Sequence, residues 1–277
     1  MSTHSRNIRE GDSVEINEEI IDQIREQLNA INAEPFFLCI SGSDNYGFSS
    51  VNNSDVDIRG AYYFRNPEEM FNLPIERSLT KEGEYMFEGM KYEWQIHEVL
   101  KFFRLMGKSN MNIFDWIFSH DWVVPPATFF DISPDELRKN CLTFINQNMI
   151  NHALGWTKHM FNEDWRIPKK ILHSLRPLMT VIHLMESGEY EPNITVLVKQ
   201  DYLSQYADLV EMLIELKKAR RSTNPIIKIQ SNNAYDEMEQ RIKDNRSKIP
   251  EKADVNDRIK AQVTDVRMKS LRHHGHV

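Results

Sequence analysis

Two apolar-flanked runs, PFFLCIS (35–41) and DVDIRGAYYF (55–64), enclose a loop that opens on Gly42-Ser43 and is rich in Ser and Asn. No other feature restricts the fold as much. The first run is short, continuous and apolar, as a buried strand ending at Ser41 should be. In the second, successive side chains alternate, so Asp55 and Asp57 point one way while Val56 and Ile58 point the other. Two carboxylates on one strand face repel unless a cation lies between them or water solvates both. Hard divalent ions, above all Mg2+, prefer carboxylate oxygen and readily share a phosphate as a further ligand. A glycine after a strand lets backbone approach a phosphate closely, and N–H groups at a helix start attract anions. Ser43 adds a hydroxyl donor. The stretch thus carries both halves of a site for a metal and a nucleoside triphosphate.

Around it the pattern predicts a small α/β domain ending near residue 130. Ile20, Ile21, Ile24, Leu28 and Ile31 recur at helical spacing, which predicts a first amphipathic helix over about 17–32. A third strand is expected within EYMFEGMKYEWQI, running into a helix HEVLKFFRLMG that Gly107 stops. The second half reads as helical. Ser133, Pro134 and Glu136 combine an N-cap, a proline at the first helical position and an acid three residues on, predicting a helix to about Phe161. Pro168 opens another, ended by Gly188 and kinked at Pro177. A third has an apolar stripe through Leu203, Tyr206, Leu209 and Leu213. The expected organisation is therefore 1–130 as an α/β domain, 131–221 as a helical domain, and 222–277 as a charged helical or partly ordered tail.

A hydrophobic content of 40% and a charged content of 27% are those of an ordinary globular chain. A net charge of −7 argues against indiscriminate nucleic-acid binding driven by charge alone, without excluding a local basic groove. Cys39 and Cys141 are far apart and lie in apolar sequence, so they read as buried free thiols in a reducing compartment. With no apolar leader and no run long enough to span a bilayer, the chain reads as cytoplasmic and free of membrane partners. His152 and His159 read as ordinary helix residues. The five tryptophans read as core rather than as base-stacking platforms.

The string GSDNYGFSSVNNSDVDIRG resembles the signature of the DNA polymerase beta-like nucleotidyltransferase superfamily, an apolar residue, Gly, Gly or Ser, a spacer, then acid–apolar–acid. More narrowly it is similar to the branch associated with RNA-repair pathways. The residues that carry this are Gly42, Ser43, Tyr46, Gly47, Ser54, Asp55, Asp57, Arg59 and Gly60. The resemblance continues with Glu93 where a third acid stands, Val99, Lys101, Phe102, Arg104 and Asn110 at matching offsets, and KKILHSLRPL in the helical half. Asp44 after Ser43, Glu rather than Asp at 93, and Met111 after Asn110 depart from the branch pattern.

The resemblance implies an α/β (α+β) nucleotidyltransferase domain with a small mixed sheet, followed by a helical domain, with the site in the cleft between them. It implies that Asp55, Asp57 and Glu93 are catalytic and hold two Mg2+ ions, or Mn2+ in their place. Gly42, Ser43, Tyr46, Arg59, Lys169, Lys170 and Arg176 would bind the nucleotide. Lys169, His173 and Arg176 fall at i, i+4 and i+7, so a helix would present them on one basic face. The implied reaction moves a nucleoside monophosphate from a triphosphate such as ATP to an acceptor hydroxyl. An RNA end is the acceptor that the branch implies. Nucleotidylation of a protein side chain, as in antitoxin-type relatives, and a nucleotide-binding scaffold without catalysis remain open, as does the oligomeric state.

Overall fold

Strands β1 (Ala33–Ser41), β2 (Asp55–Phe64), β3 (Thr80–Phe87), β4 (Met90–Glu98) and β5 (Trp122–Val124) form one sheet in the order β3-β4-β2-β1-β5. In this computed structural model the described residues are 16–49, 55–66, 68–69, 79–161, 165–251 and 255–276. The sheet is mixed: β2 runs parallel to β4, and the other neighbours are antiparallel. The expected class, a small mixed α/β sheet followed by C-terminal helices, is the one observed.

Strand alternation sorts the sheet's two faces. Leu38, Ile40, Val56, Ile58, Tyr92, Trp94 and Ile96 share one of them and pack with Ile20, Ile21, Ile24 and Leu28. Those four come from the Glu18–Asn29 helix, capped by the Asn17 side chain, close to the span its periodicity predicts. Each such side chain withdrawn from water contributes on the order of 2 kcal/mol. With its partner face buried in this way, β2 cannot slip by one residue, because a slip would drive Asp55 and Asp57 into the core. The acids are thereby held on the opposite face.

The chain forms two units, each described by itself. One comprises the described residues of Ser13–Gly42, Ser54–Phe144 and Ala253–Val277, and contains the sheet. The other comprises those of Ser43–Asn53 and Ile145–Lys252, and is helical. This division differs from the three segments drawn at 130 and 221. The Pro134–Leu142 helix stays with the sheet, and the last segment splits. Its Pro225–Asp244 helix joins the helical unit, while the Asn256–His273 helix joins the sheet unit. Arg267 of that last helix pairs with the fully buried Glu98 at 2.9 Å, and its Leu271 enters the sheet's core.

Other local expectations need correction. The stretch read as one strand is a hairpin, β3 to β4, turned at Glu88 (φ 48°) and Gly89 (φ 80°), the positive-φ pair that suits a tight antiparallel turn. His97 and Glu98 complete β4 instead of starting a helix, and the helix is Val99–Gly107. Gly107 closes it with φ in the ordinary range; its role is clearance, since a Cβ there would lie 2.3 Å from Ile259 Cδ1. The helix begun at Ser133 does have the capping box but ends at Leu142, and a separate one covers Asn148–Phe161, with Asn146 Oδ1 accepting from the Asn148 N–H. The Pro168–Ser187 helix ends on Gly188 in the left-handed region, as expected, and contains Pro177. Both cysteines are buried and free. Trp94 and Trp116 are core, but Trp156 is 41% exposed. Among the described residues no helix is long and apolar enough to cross a membrane.

Candidate active site

In the sheet unit, β2 and β4 bring the acids together. The parallel register pairs Asp57 with Glu93 and Asp55 with Lys91. Paired positions on neighbouring strands are ~4.8 Å apart and share a face, so Asp55, Asp57 and Glu93 lie on one face, with Asp57 and Glu93 directly abreast. Asp55 is exposed, and the Asp57 and Glu93 side chains are partly so. β1 pairs Ser41 with Asp57, which sets the Gly42 turn beside that carboxylate. The approach is very close: a Cβ on Gly42 would fall 2.0 Å from Asp57 Oδ2, and its φ of +64° independently favours glycine.

Asp57 and Glu93 are each engaged by a cation. Arg59, on the same strand face, donates to Asp57 Oδ1 at 2.6 Å and to the backbone oxygens of Ile58 and Glu93. Lys91 lies 2.5 Å from Glu93 Oε1 and 2.7 Å from Glu84 Oε2, and those two hydrogen bonds raise its pKa. Lys91 and Glu84 did not emerge from the sequence. The signal was present in the spacing, since Lys91 precedes Glu93 by two residues and so shares its face. Among the described residues no three acidic, His or Cys side chains already stand as a cation cage. The donor set nevertheless fits a hard divalent ion in kind, because three carboxylates share a partly solvated strand face. Arg59 and Lys91 each engage one oxygen of these carboxylates, Asp57 Oδ1 and Glu93 Oε1, and so compete with an ion for them.

Beyond the acids on that strand lies His97, paired with Thr80 across β3 and β4; its Nδ1 is 3.2 Å from the Thr80 hydroxyl, to which Lys101 Nζ also donates. Burial, with the positive charges of Lys101 and Arg59 adding to it, lowers the His97 pKa to about 4. The imidazole is neutral at physiological pH.

The other expected nucleotide-binding residues belong to the helical unit. Ser43 is buried in the short turn Gly42–Asn45, and its carbonyl accepts from the Phe48 N–H. Tyr46 accepts at its carbonyl from Ile194 N, and Arg176 stacks its guanidinium 3.8 Å from the Tyr46 ring centre. His173 meets Tyr46 and Phe48 edge-on, and burial lowers its pKa to about 3, with Arg176, Lys169 and Lys217 adding to the shift. The basic face expected from the i, i+4, i+7 spacing is therefore not uniform. Lys169 is exposed, whereas Arg176 is 4% exposed and engaged with Tyr46. Lys170 lines a separate recess beside Trp165. Gly47 is needed for clearance, as a Cβ there would lie 2.0 Å from Asn193 Oδ1. Ser54 of the motif lies outside the described residues.

A strand-borne acid pair beside a glycine turn, with a third acid abreast on the neighbouring strand, is the arrangement that the resemblance to nucleotidyltransferases of the DNA polymerase beta type implied. The profile of the RNA repair pathway DNA polymerase beta family, RlaP, matches residues 16–265, and the chain belongs to that family. It is 30% identical over 192 residues, 66% of its length, to an uncharacterized protein of Methanocaldococcus jannaschii, 72% of which is covered. It is also similar to the crystal structure of a nucleotidyltransferase-like protein from Exiguobacterium sibiricum, with 11% identity and a TM-score of 0.31 over 81% of this chain and 75% of that one.

Proposed function

We propose that the chain transfers a nucleoside monophosphate from a nucleoside triphosphate to a hydroxyl at an RNA end, using divalent metal held by Asp55, Asp57 and Glu93. The observation that carries this reading is the register that sets Asp57 abreast of Glu93, with Asp55 on the same face and the Gly42 turn against Asp57. Mg2+ bound there supplies charge neutralisation for the phosphates and acidifies the attacking hydroxyl. The chain's own residues do the rest. Asp55 and Asp57, two residues apart on a rigid strand, provide oxygens of fixed spacing. Glu93 serves the acceptor side. Gly42 lets the turn close directly against the Asp57 carboxylate, which fills the space a side chain there would take, and Ser43 follows as a hydroxyl donor. Arg59, which donates to Asp57 Oδ1, would have guanidinium donors to offer a phosphate oxygen were Asp57 to hold the metal. RNA as acceptor follows the family description; the class of reaction follows the acids.

The test is to incubate labelled ATP, CTP, GTP or UTP with RNA and Mg2+. Label should appear on RNA and vanish with EDTA. Asp57→Asn should lower the rate by about a hundredfold or more, the scale on which removal of one transition-state charge partner is felt. Transfer unchanged in Asp55→Asn/Asp57→Asn refutes the metal site, and label on protein instead of RNA refutes the acceptor.

A further inference from the structure

We propose that the helical unit carries a binding surface for single-stranded RNA, centred on the recess beside Trp165 and the basic turn that precedes the Pro225–Asp244 helix. The proposal deepens the reading of RNA as the acceptor by naming the surface that holds it.

The chain has 41 acids in 277 residues, about one in seven. Yet no acid occurs from Trp165 to Met185 or from Leu216 to Tyr235, and these two stretches carry nine lysines and arginines. The fold brings them together. Thr223 donates from its hydroxyl to the Trp165 carbonyl at 2.7 Å and from its N–H to the Arg166 carbonyl at 3.0 Å. The Lys228 ammonium lies 4.8 Å from the Trp165 ring centre. Trp165, Lys170, Lys228, Met160 and Asn232 line a small open recess. Arg166, Arg220 and Arg221 are exposed beside it in sequence. Glu163 and Asp164 lie outside the described residues.

The same segments, together with the Asn148–Phe161 helix, expose apolar surface. Of the large apolar side chains exposed among the described residues, Trp156, Ile167, Ile226 and Ile229 belong here, and the remaining one is Met86 on β3. Trp156 and Met160 are four apart on one helix and so share a face, which places Trp156 on the recess side. Cations close to exposed apolar side chains are what a single strand requires: the cations neutralise phosphates, and unstacked bases lie against apolar faces. A duplex, with its bases stacked internally, would leave the aromatic and apolar part unused. In a chain of net charge −7, two basic stretches without acids that the fold brings together favour a polyanion there.

The experiment measures binding of a short fluorescent oligouridylate to the full chain by anisotropy across a salt series. Wild type should bind with log K falling linearly against log salt. Arg220→Ala/Arg221→Ala should reduce that slope by about 1.4, as two phosphate contacts are lost, and weaken binding about tenfold. Trp156→Ala should weaken it about fivefold or more with the slope unchanged, because stacking carries no counterion release. Circular dichroism establishes that the variants fold; both alter exposed side chains. RNA affinity equal to wild type in both variants overturns the proposal. So does salt-insensitive wild-type binding, and so does preference for polyglutamate over RNA, which would assign the surface to an acidic protein. Asp55→Asn/Asp57→Asn should bind RNA normally. RNA bound at this surface without nucleotide transfer to it upholds this proposal and defeats the acceptor reading; transfer to RNA with both variants unaffected does the reverse.

Discussion

At Gly42 a methyl group has no room, because Asp57 Oδ2 already occupies the position where its hydrogens would sit. Gly42→Ala should therefore cost more than the strain of a positive φ. Gly89 provides the control, since its φ is +80° and no atom lies within 4 Å of where its Cβ would be. In urea unfolding, Gly42→Ala should destabilise by about 2 kcal/mol more than Gly89→Ala, the cost of overpacking a filled position. Equal losses would mean that Asp57 swings aside freely. His97 gives a second residue-scale test. Its folded pKa is about 4, against 6.5 for the ordinary group. Between those values the unfolded chain binds a proton that the folded chain does not, so stability falls as pH drops from 6.5 toward 4. His173, lowered to about 3, acts in the same direction. His97→Gln should flatten the stability–pH curve in that window and leave it unchanged above pH 7, which chemical denaturation at stepped pH can measure.

Among the elements, the Asn256–His273 helix has the most to lose. It offers the sheet unit Arg267 for the buried Glu98, a lysine, Lys269, donating to the Phe130 carbonyl, and Ser270 donating to the Phe64 carbonyl. Burial pushes the Glu98 carboxyl up in pKa while Arg267 pulls it down, and Glu98 also caps the Val99–Gly107 helix by accepting from the Leu100 N–H. Arg267→Met leaves that carboxylate buried without its cation, which should cost about 3–5 kcal/mol. Arg267→Met/Glu98→Gln should recover most of the loss. The two melts compared in one buffer decide it; a loss below about 1 kcal/mol in the single variant would show that Glu98 does not need its partner. This helix was legible only as an option. Its sequence is polar, and the apolar positions Ile259, Val263 and Val266 gain meaning from the Gly107 surface against which Ile259 rests.

Ligand binding belongs to the whole molecule. A triphosphate that reaches the site with Mg2+ should raise the melting temperature, by the equivalent of about 2.7 kcal/mol at a hundredfold excess over Kd. Without Mg2+ the shift should be much smaller, because Asp57 and Glu93 then remain with Arg59 and Lys91 and the acids repel the phosphates. Equal shifts with and without Mg2+ would point to a nucleotide binder that does not use metal. Lys91→Met should strengthen Mg2+ binding measured by calorimetry, since it removes the cation that competes for Glu93.

Local pattern by itself determined the strands that matter and the face their acids occupy. The β1 run, the Asp55–Phe64 strand and the alternation of Asp55, Val56, Asp57 and Ile58 follow from a period of two and a buried partner face, both short-range properties. Caps at Ser133 and Gly188 were readable for the same reason, because a helix end is satisfied by residues a few positions away. Tertiary structure alone decided that β4 lies parallel to β2 with Glu93 abreast of Asp57, and that Arg176 turns in to Tyr46. Those depend on residues tens to more than a hundred positions apart, whose meeting no periodicity encodes; it is set by which apolar faces pack best once the whole chain is folded.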